Sequence, residues 1–410
     1  MSESFSADLH IHGTYSGATS DKMILDIIAQ QASFKGLTFV GTGDFLHPSW
    51  MKQVQAKLEI VEEGTFEHPR FGTRFILTVE VEDDRRVHHL IISPSISSAE
   101  GLYEEFSKHS KDINLDGRPS LNLSAPEIVE ISRDHDCLVG PSHAFTPWTS
   151  IYKEFDSISS CYEDQVDKLA FLELGLSADT LMADRLMELE SVPFLSNSDA
   201  HSPWPNKLGR EFNRFELSRP VSSEMIESIR EKKGISLNVG LDPKLGKYHM
   251  TACSKCYSQF LAKDAEKYGW RCKSCGGVVK KGVLDRVSEL ADFESPLHPD
   301  FRPDYLRIAP LSEVIALALG CSNPRSRKVR RTWNRLIEHF KDEITVLVDA
   351  DLAEIEETSG PQVALIIGLF RKRQLDIDPG GGGRYGRLKI PEELIKAQRP
   401  GGQRTIAEFS

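Results

Sequence analysis

Short apolar runs and amphipathic stretches alternate through the first 240 residues of the chain. Runs of strand length lie at 7–11, 37–42, 75–81, 87–92, 138–140, 169–174 and 193–197. Helical periodicity intervenes near 21–35, 50–62, 99–107, 125–134, 180–190 and 222–232. Such alternation predicts an α/β domain with a mostly parallel sheet. Residues with metal-ligand chemistry recur just after these strands, at His12, from Thr42 to His47, at His143 and at Asp199. Barrel enzymes gather their active sites at that end of the strands. A barrel or distorted barrel therefore fits better than an open, doubly wound sheet. Neither GxGxxG nor GxxxxGK[ST] follows a strand, which removes support for dinucleotide and nucleoside-triphosphate chemistry.

The pattern changes beyond residue 240. A linker leads into a four-cysteine segment. After Pro310 come an apolar helical run at 311–319, a basic run, apolar stretches at 344–348 and 363–370, and a turn of four glycines, Gly380–Gly383. The expected domains are 1–240 for phosphoester chemistry, 241–295 for a zinc module, 296–399 for a basic, mainly helical DNA-binding domain, and 400–410 for a flexible tail.

Charge and cysteine usage narrow the class. The 410 residues carry a net charge of −11, so the surface as a whole does not advertise nucleic-acid binding. From Pro324 onward, however, 16 Lys+Arg face 13 Asp+Glu. No apolar run reaches the length of a membrane span, and Met1-Ser2-Glu3-Ser4 has no signal-peptide character. Cys137, Cys161 and Cys321 read as single buried thiols. The expectation is a cytoplasmic, reducing setting without a membrane partner.

The chemistry lies in a scattered constellation. His10 and His12 alternate along one strand and so share a face; Asp199 and His201 repeat that spacing. Glu80 has two acceptor oxygens and suits a bridge between two ions, with Glu82 as its rival. Of the pair His88-His89, alternation lets one side chain face a pocket, and His89 is the choice. His143 follows a short strand. The loop from Gly41 to His47 offers Asp44 and His47, and Asp44 can instead orient a ligand imidazole. The metal set is therefore His10, His12, His47, Glu80, His89, His143, Asp199 and His201. Asp44, His47, Glu80, Asp199 and His201 are the expected catalytic residues. Zinc and manganese suit such donors better than calcium, and magnesium is the further ion expected at the catalytic site. One ion would hold hydroxide while others neutralise phosphate oxygens.

The motifs His10-x-His12, Glu80, His89, His143 and Asp199-x-His201 resemble those of the PHP (polymerase and histidinol phosphatase) superfamily across roughly residues 5–240. The segment Gly13-Thr14-Tyr15-Ser16-Gly17 departs from it, having no carboxylate. Ala18-Thr19-Ser20, Gly43-Asp44-Phe45-Leu46-His47-Pro48, Val87-His88-His89-Leu90 and Ser196-Asn197-Ser198-Asp199-Ala200-His201-Ser202-Pro203 resemble, more narrowly, the endonuclease Q family of DNA-repair enzymes. That resemblance implies a distorted (β/α)7 barrel and metal-dependent cleavage of DNA. The cut falls 5′ to a deaminated base (uracil, hypoxanthine or xanthine) or an abasic site. A small-molecule phosphatase of the histidinol-phosphate kind and a nonenzymatic DNA-binding subunit are the competing readings.

Cys253-x2-Cys256 and Cys272-x2-Cys275 have the spacing of a closed tetrathiolate zinc site. Arg325, Arg327, Lys328, Arg330, Arg331 and Arg335 crowd one predicted helix, and Arg371-Lys372-Arg373 forms a second cluster. Phosphate contact is the functional reading, and a solvated helix bonded to acidic residues is the alternative. Arg384 and Arg387 flank the glycine turn, where the backbone can approach a phosphate or displaced base closely. In the tail, Gln403, Ile406 and Phe409 resemble the anchors of a short motif that binds the sliding clamp, although Ser410 replaces its last aromatic residue.

Overall fold

The computed structural model of the chain describes residues 2–397. The expected clamp anchors Gln403, Ile406 and Phe409 lie outside the described residues.

The strands that frame the molecule are β1 (Glu3–Asp8), β2 (Phe39–Gly41), β3 (Glu59–Glu62), β4 (Thr65–Glu67), β5 (Arg74–Ile76), β6 (Thr78–Glu82), β7 (His88–Ile92), β8 (Leu138–Pro141), β9 (Leu172–Glu173), β10 (Phe194–Leu195), β11 (Phe212–Leu217) and β12 (Ile235–Leu241). Parallel pairing runs from β1 to β2 and on to β5, which β6 continues. Strand β7 lies antiparallel between β6 and β8. The amide of Ala170 donates to Val139 at 2.9 Å, carrying the ring from β8 to the parallel pair β9–β10. A parallel bridge between Ile11 and Ala200 closes the ring onto the extension of β1. The result is a distorted barrel of seven strand positions.

Within the barrel, β7 is the exception to the expected mostly parallel sheet. The turn into β7 is too short for a crossover helix, which a parallel return would need. Strands β11 and β12 continue antiparallel from the outer edge of β1. Two further differences have local causes. The helix expected over 50–62 ends at Lys57, and the chain returns as the antiparallel hairpin β3–β4. The stretch 180–190 holds only a short helix, Thr180–Ala183, and a tight turn, Met187–Leu189.

Side-chain alternation builds the barrel interior. Leu90 and Ile92 share a face with His88, Phe171 with Glu173, and Leu195 with Asn197 and Asp199. Ala7, Leu9, Ile76, Leu90, Phe171 and Leu195 form one buried cluster. The interior is therefore apolar at one end and polar at the mouth.

Strand β12 runs across the boundary expected at residue 240. After the cysteine hairpin β13 (Ala252–Cys253) and β14 (Val279–Lys280), β15 (Tyr305–Ile308) pairs parallel with β12 and extends the barrel sheet. The C-terminal helices Leu311–Ala318, Arg327–Phe340, Leu352–Ser359 and Pro361–Arg371 pack around their own core of Val314, Ile315, Leu336, Ile355 and Ile367. Lys35 and Glu343, both buried, pin this unit to the barrel. The Lys35 ammonium donates to Glu343 at 2.8 Å and to the carbonyl of Pro205 at 2.7 Å. Glu343 also accepts from the Leu311 amide and the Trp333 indole. Among the described residues, no helix is long and apolar enough to cross a membrane.

Candidate metal centre and nucleic-acid interface

The barrel mouth collects its polar residues from six strands and the turns that follow them. His10 and His12 extend β1. The Nδ1 of His10 donates to Glu173 at 2.8 Å, which turns Nε2 inward, 3.5 Å from Glu80 and 3.8 Å from Asp199. That Nε2 is buried and has no hydrogen-bond partner. An inward lone pair backed by a carboxylate on the other ring nitrogen is the arrangement of a metal-ligating imidazole. His12 places Nε2 3.2 Å from Asp199 and 3.5 Å from Glu80. Its Nδ1 lies 3.2 Å from the Ser16 hydroxyl, which donates to Asp44 at 2.7 Å.

Glu80, in the middle of β6, is the hub. Its carboxylate lies 2.9 Å from His143 and 3.0 Å from His88. Burial pushes its pKa up, but the imidazoles of His88 and His10 outweigh burial and hold it well below the carboxylate range. Three overlapping donor groups result: His10–His12–Glu80, His12–Asp199–His201 and Glu80–His88–His143, with donor atoms in each within 4.8 Å of one another. These sets fit two or three divalent ions sharing Glu80 and His12. Asp44, His143 and Asp199 hold positive φ angles of 54°, 31° and 47°. Strained backbone of this kind concentrates at functional sites.

The structure brings together His10, His12, Glu80, His143, Asp199 and His201, but not His89 or His47. His88 is the histidine that enters the cluster. His89 points to the opposite face of β7 and meets the Tyr162 hydroxyl at 2.8 Å and Asp83 at 3.1 Å. One histidine of the pair faces the pocket, and it is His88 rather than the expected His89, because β7 runs against its neighbours and starts at the mouth. His47 stands at the N-cap position of the helix Pro48–Lys57, without a capping bond from its side chain, and stacks on Tyr15 with ring centroids 4.0 Å apart. Asp44 stands behind His12 through Ser16 rather than in the cluster. Two residues that the sequence reading missed join the site. Glu173 is fully buried, and Arg118 donates to Glu80 at 3.3 Å. Glu173 was detectable as a lone carboxylate inside the apolar stretch 169–174; Arg118 lies in a loop with no such signal.

Cys253, Cys256, Cys272 and Cys275 converge with sulfur atoms within 4.8 Å of one another, a closed set with metal-site geometry. All four are free thiols. Tyr257 and Gly276, each directly after a Cys-x-x-Cys pair, take positive φ, turning the backbone around the sulfurs. The module touches the barrel mouth: the Lys280 ammonium lies 4.4 Å from the Trp148 ring.

The basic residues divide. Arg325, Arg327, Lys328, Arg330, Arg331 and Arg335 are all exposed, and none takes part in an ion pair among the described residues. The alternative of a helix neutralised by acidic neighbours loses its support. Arg371 is instead committed internally, donating to the carbonyls of Val346 and Leu347. Lys372 and Arg373 are exposed. The glycine turn is not a loose loop, because its close approach is to the chain itself. A Cβ at Gly380, Gly382 or Gly386 would lie 2.2–2.4 Å from backbone oxygens of Gly246, Cys253 or Lys244. The amides of Gly380, Gly383 and Gly386 donate to residues 244, 247 and 245. Arg384 lies over the Tyr257 ring at 5.2 Å, and Arg387 is exposed.

Fold and site together define a metal-dependent phosphoesterase. The chain is 49% identical to the lesion-specific endonuclease PfuEndoQ from Pyrococcus furiosus, with 97% of this chain and 98% of that one covered and a TM-score of 0.91. It is 48% identical, over the full length of both chains, to an endonuclease Q solved in complex with a 27-mer duplex bearing an abasic lesion at its active site, with a TM-score of 0.92. This chain belongs to the endonuclease Q family. Residues 310–374 match the family model of the MJ0043 C-terminal domain. The MJ0043 protein of Methanocaldococcus jannaschii is 47% identical over 276 residues, 66% of this chain but 34% of that protein. The match thus spans about a third of that relative's length.

Proposed function

We propose that the chain nicks duplex DNA on the 5′ side of a damaged nucleotide, an abasic site or a deaminated base. The observation that carries this is the buried cluster centred on Glu80, in a chain alike from end to end to an endonuclease Q caught on an abasic duplex. His10, His12, Glu80, His88, His143, Asp199 and His201 would hold the catalytic ions, manganese, magnesium or zinc. Bound there, such ions supply a hydroxide nucleophile and charge neutralisation at phosphate. The chain's own groups do the rest. Glu173 fixes the His10 ring, Ser16 and Asp44 fix His12, and Arg118 brings a cation to the cluster's edge for a phosphate oxygen. The exposed cations of the Arg327–Phe340 helix, with Lys372, Arg373, Arg384 and Arg387, hold the duplex by its backbone without reading the lesion. Zinc at the four cysteines shapes the module beside the mouth.

Duplexes containing one abasic site, one uracil, one hypoxanthine or no lesion, each incubated with manganese or chelator, test the reading. Metal-dependent nicking immediately 5′ to the lesion is expected, with intact duplex untouched. Hydrolysis of a phosphomonoester without nicking would replace it by the small-molecule phosphatase. The proposed clamp contact of Gln403, Ile406 and Phe409 is tested separately: retention on the host's sliding clamp should vanish when residues 403–410 are deleted.

A further inference from the structure

Two cavities meet at one wall beside the metal-ligand cluster. The first, about 360 Å³, opens on that cluster and is lined by His143, Trp148, Asp199 and Tyr248. The second, about 420 Å³, is lined by Leu245, Leu317, Cys321 and Arg387. Both fall within the roughly 300–1,000 Å³ of small-molecule pockets. Lys207, Arg210 and Tyr385 line both.

This wall is rigid and cationic. Tyr385 stands on the glycine turn, which is fixed by its backbone bonds to residues 244–247. Arg210 donates through Nε and Nη2 to the Ser198 carbonyl at 3.1 and 2.9 Å, leaving Nη1 turned to Tyr385. The Tyr385 hydroxyl oxygen accepts from Lys207 and Arg210, each at 3.5 Å. A phenol that accepts twice keeps its own proton to donate outward. Lys247 adds a third cation, 5.9 Å from the Tyr385 ring. Lys207, Arg210 and Lys247 take part in no ion pair among the described residues. Glu313 faces the second cavity, and burial pushes its pKa up, toward the neutral form.

We propose that this wall binds the phosphate on the 3′ side of the damaged nucleotide and that the second cavity receives the base that follows it. The inference rests on the nicking activity proposed above. The metal-ligand cluster takes the phosphate to be cut, 5′ of the damaged nucleotide. That nucleotide fills the first cavity, so its 3′ phosphate falls at the wall shared with the second cavity, where the three cations and the Tyr385 hydroxyl lie. The apolar lining beyond, Leu245, Leu317 and Leu388, then faces the next base. Tyr385 separates the two bases and holds the strand kinked.

Two measurements on the full chain test this. In the first, 2-aminopurine is placed directly 3′ to an abasic site, and its fluorescence is read by stopped flow before cleavage. Wild type should raise the signal as the base unstacks, and Leu317→Trp, which fills the cavity, should not. In the second, an uncharged methylphosphonate replaces the phosphate 3′ to the lesion, and Kd is read by anisotropy. Wild type should weaken about 10-fold or more, the size of one charge-assisted hydrogen bond. The double variant Lys207→Met, Arg210→Met should lose most of that discrimination. Tyr385→Phe should lose part of the discrimination and keep the fluorescence change. A silent 2-aminopurine with a tolerated methylphosphonate, in a protein that nicks 5′ to the lesion, overturns the inference alone. Failure to nick any damaged duplex overturns the activity reading instead, and the two binding readouts still judge the wall.

Discussion

Neighbouring histidines on one strand should fail in opposite ways when each is replaced by alanine. His88 faces Glu80 at 3.0 Å, and His89 faces Tyr162 and Asp83. His88→Ala removes a donor from the Glu80–His88–His143 group. Outer partners of metal ligands carry roughly 10–100-fold in affinity or activity, so loss of a donor itself should cost about 100-fold or more in single-turnover nicking. His89→Ala leaves the donor groups whole. It removes two buried hydrogen bonds and strands the Tyr162 hydroxyl and an Asp83 oxygen, each costing roughly 1–3 kcal/mol. With some relief from rearrangement, the loss is about 3–5 kcal/mol. That corresponds to a fall in Tm of roughly 6–20 °C for a domain of this size. The assays are thermal melting, metal content after dialysis, and nicking of an abasic duplex well below the variant's Tm. A folded His89→Ala protein that has lost its metal, or a His88→Ala protein that nicks at the wild-type rate, would refute the assignment.

Three further outcomes are expected. Glu211 is buried and accepts from the Leu241 amide and the Ser196 hydroxyl; burial pushes its pKa from 4.5 up to about 8. The folded state then keeps a proton that the unfolded state has lost, so stability falls as pH rises from 4.5 to 8, by on the order of 4 kcal/mol. Glu211→Gln should abolish that slope in urea unfolding and be the more stable protein at pH 8.5; an unchanged slope refutes the source. Cys253→Ser with Cys256→Ser should remove one zinc per chain by elemental analysis and make the module protease-sensitive. Neutralising Arg327, Lys328, Arg330 and Arg331 should weaken binding to damaged and intact duplex alike and flatten the salt dependence by up to about four charges; an unchanged salt slope would assign this helix to solvent.

Much of the site was legible because its chemistry repeats with strand geometry. The pairs His10-x-His12 and Asp199-x-His201 each place alternate residues on one face, which needs no knowledge of the partner strand. Glu80 stood out as a carboxylate among valines. Parity at His88-His89 was illegible, because facing depends on where β7 begins and in which direction it runs. Those are properties of its pairing with β6 and β8 rather than of its own residues. The glycine turn misled for a related reason. Glycine reports that something comes close, and here the neighbour is the chain's own backbone at residues 244–253. Strands β11, β12 and β15 were missed because their burial comes from tertiary pairing and leaves only weak alternation in sequence.

The buried pair Lys35–Glu343 bears on how this molecule can be cut and inherited. The segment that matches a separate family model, 310–374, looks like a tradable cassette. Yet excising it would take the Glu343 carboxylate from Lys35 and uncover Phe34, which packs against the helical core. In the intact chain, loss of the Glu343 carboxylate alone would leave the Lys35 ammonium buried with only the Pro205 carbonyl, at a cost of roughly 3–5 kcal/mol, a large share of a domain's margin of stability. The two halves should therefore descend together. A change at either position would need its counterpart to change in step, and a truncation at residue 309 should yield aggregate rather than a smaller working enzyme.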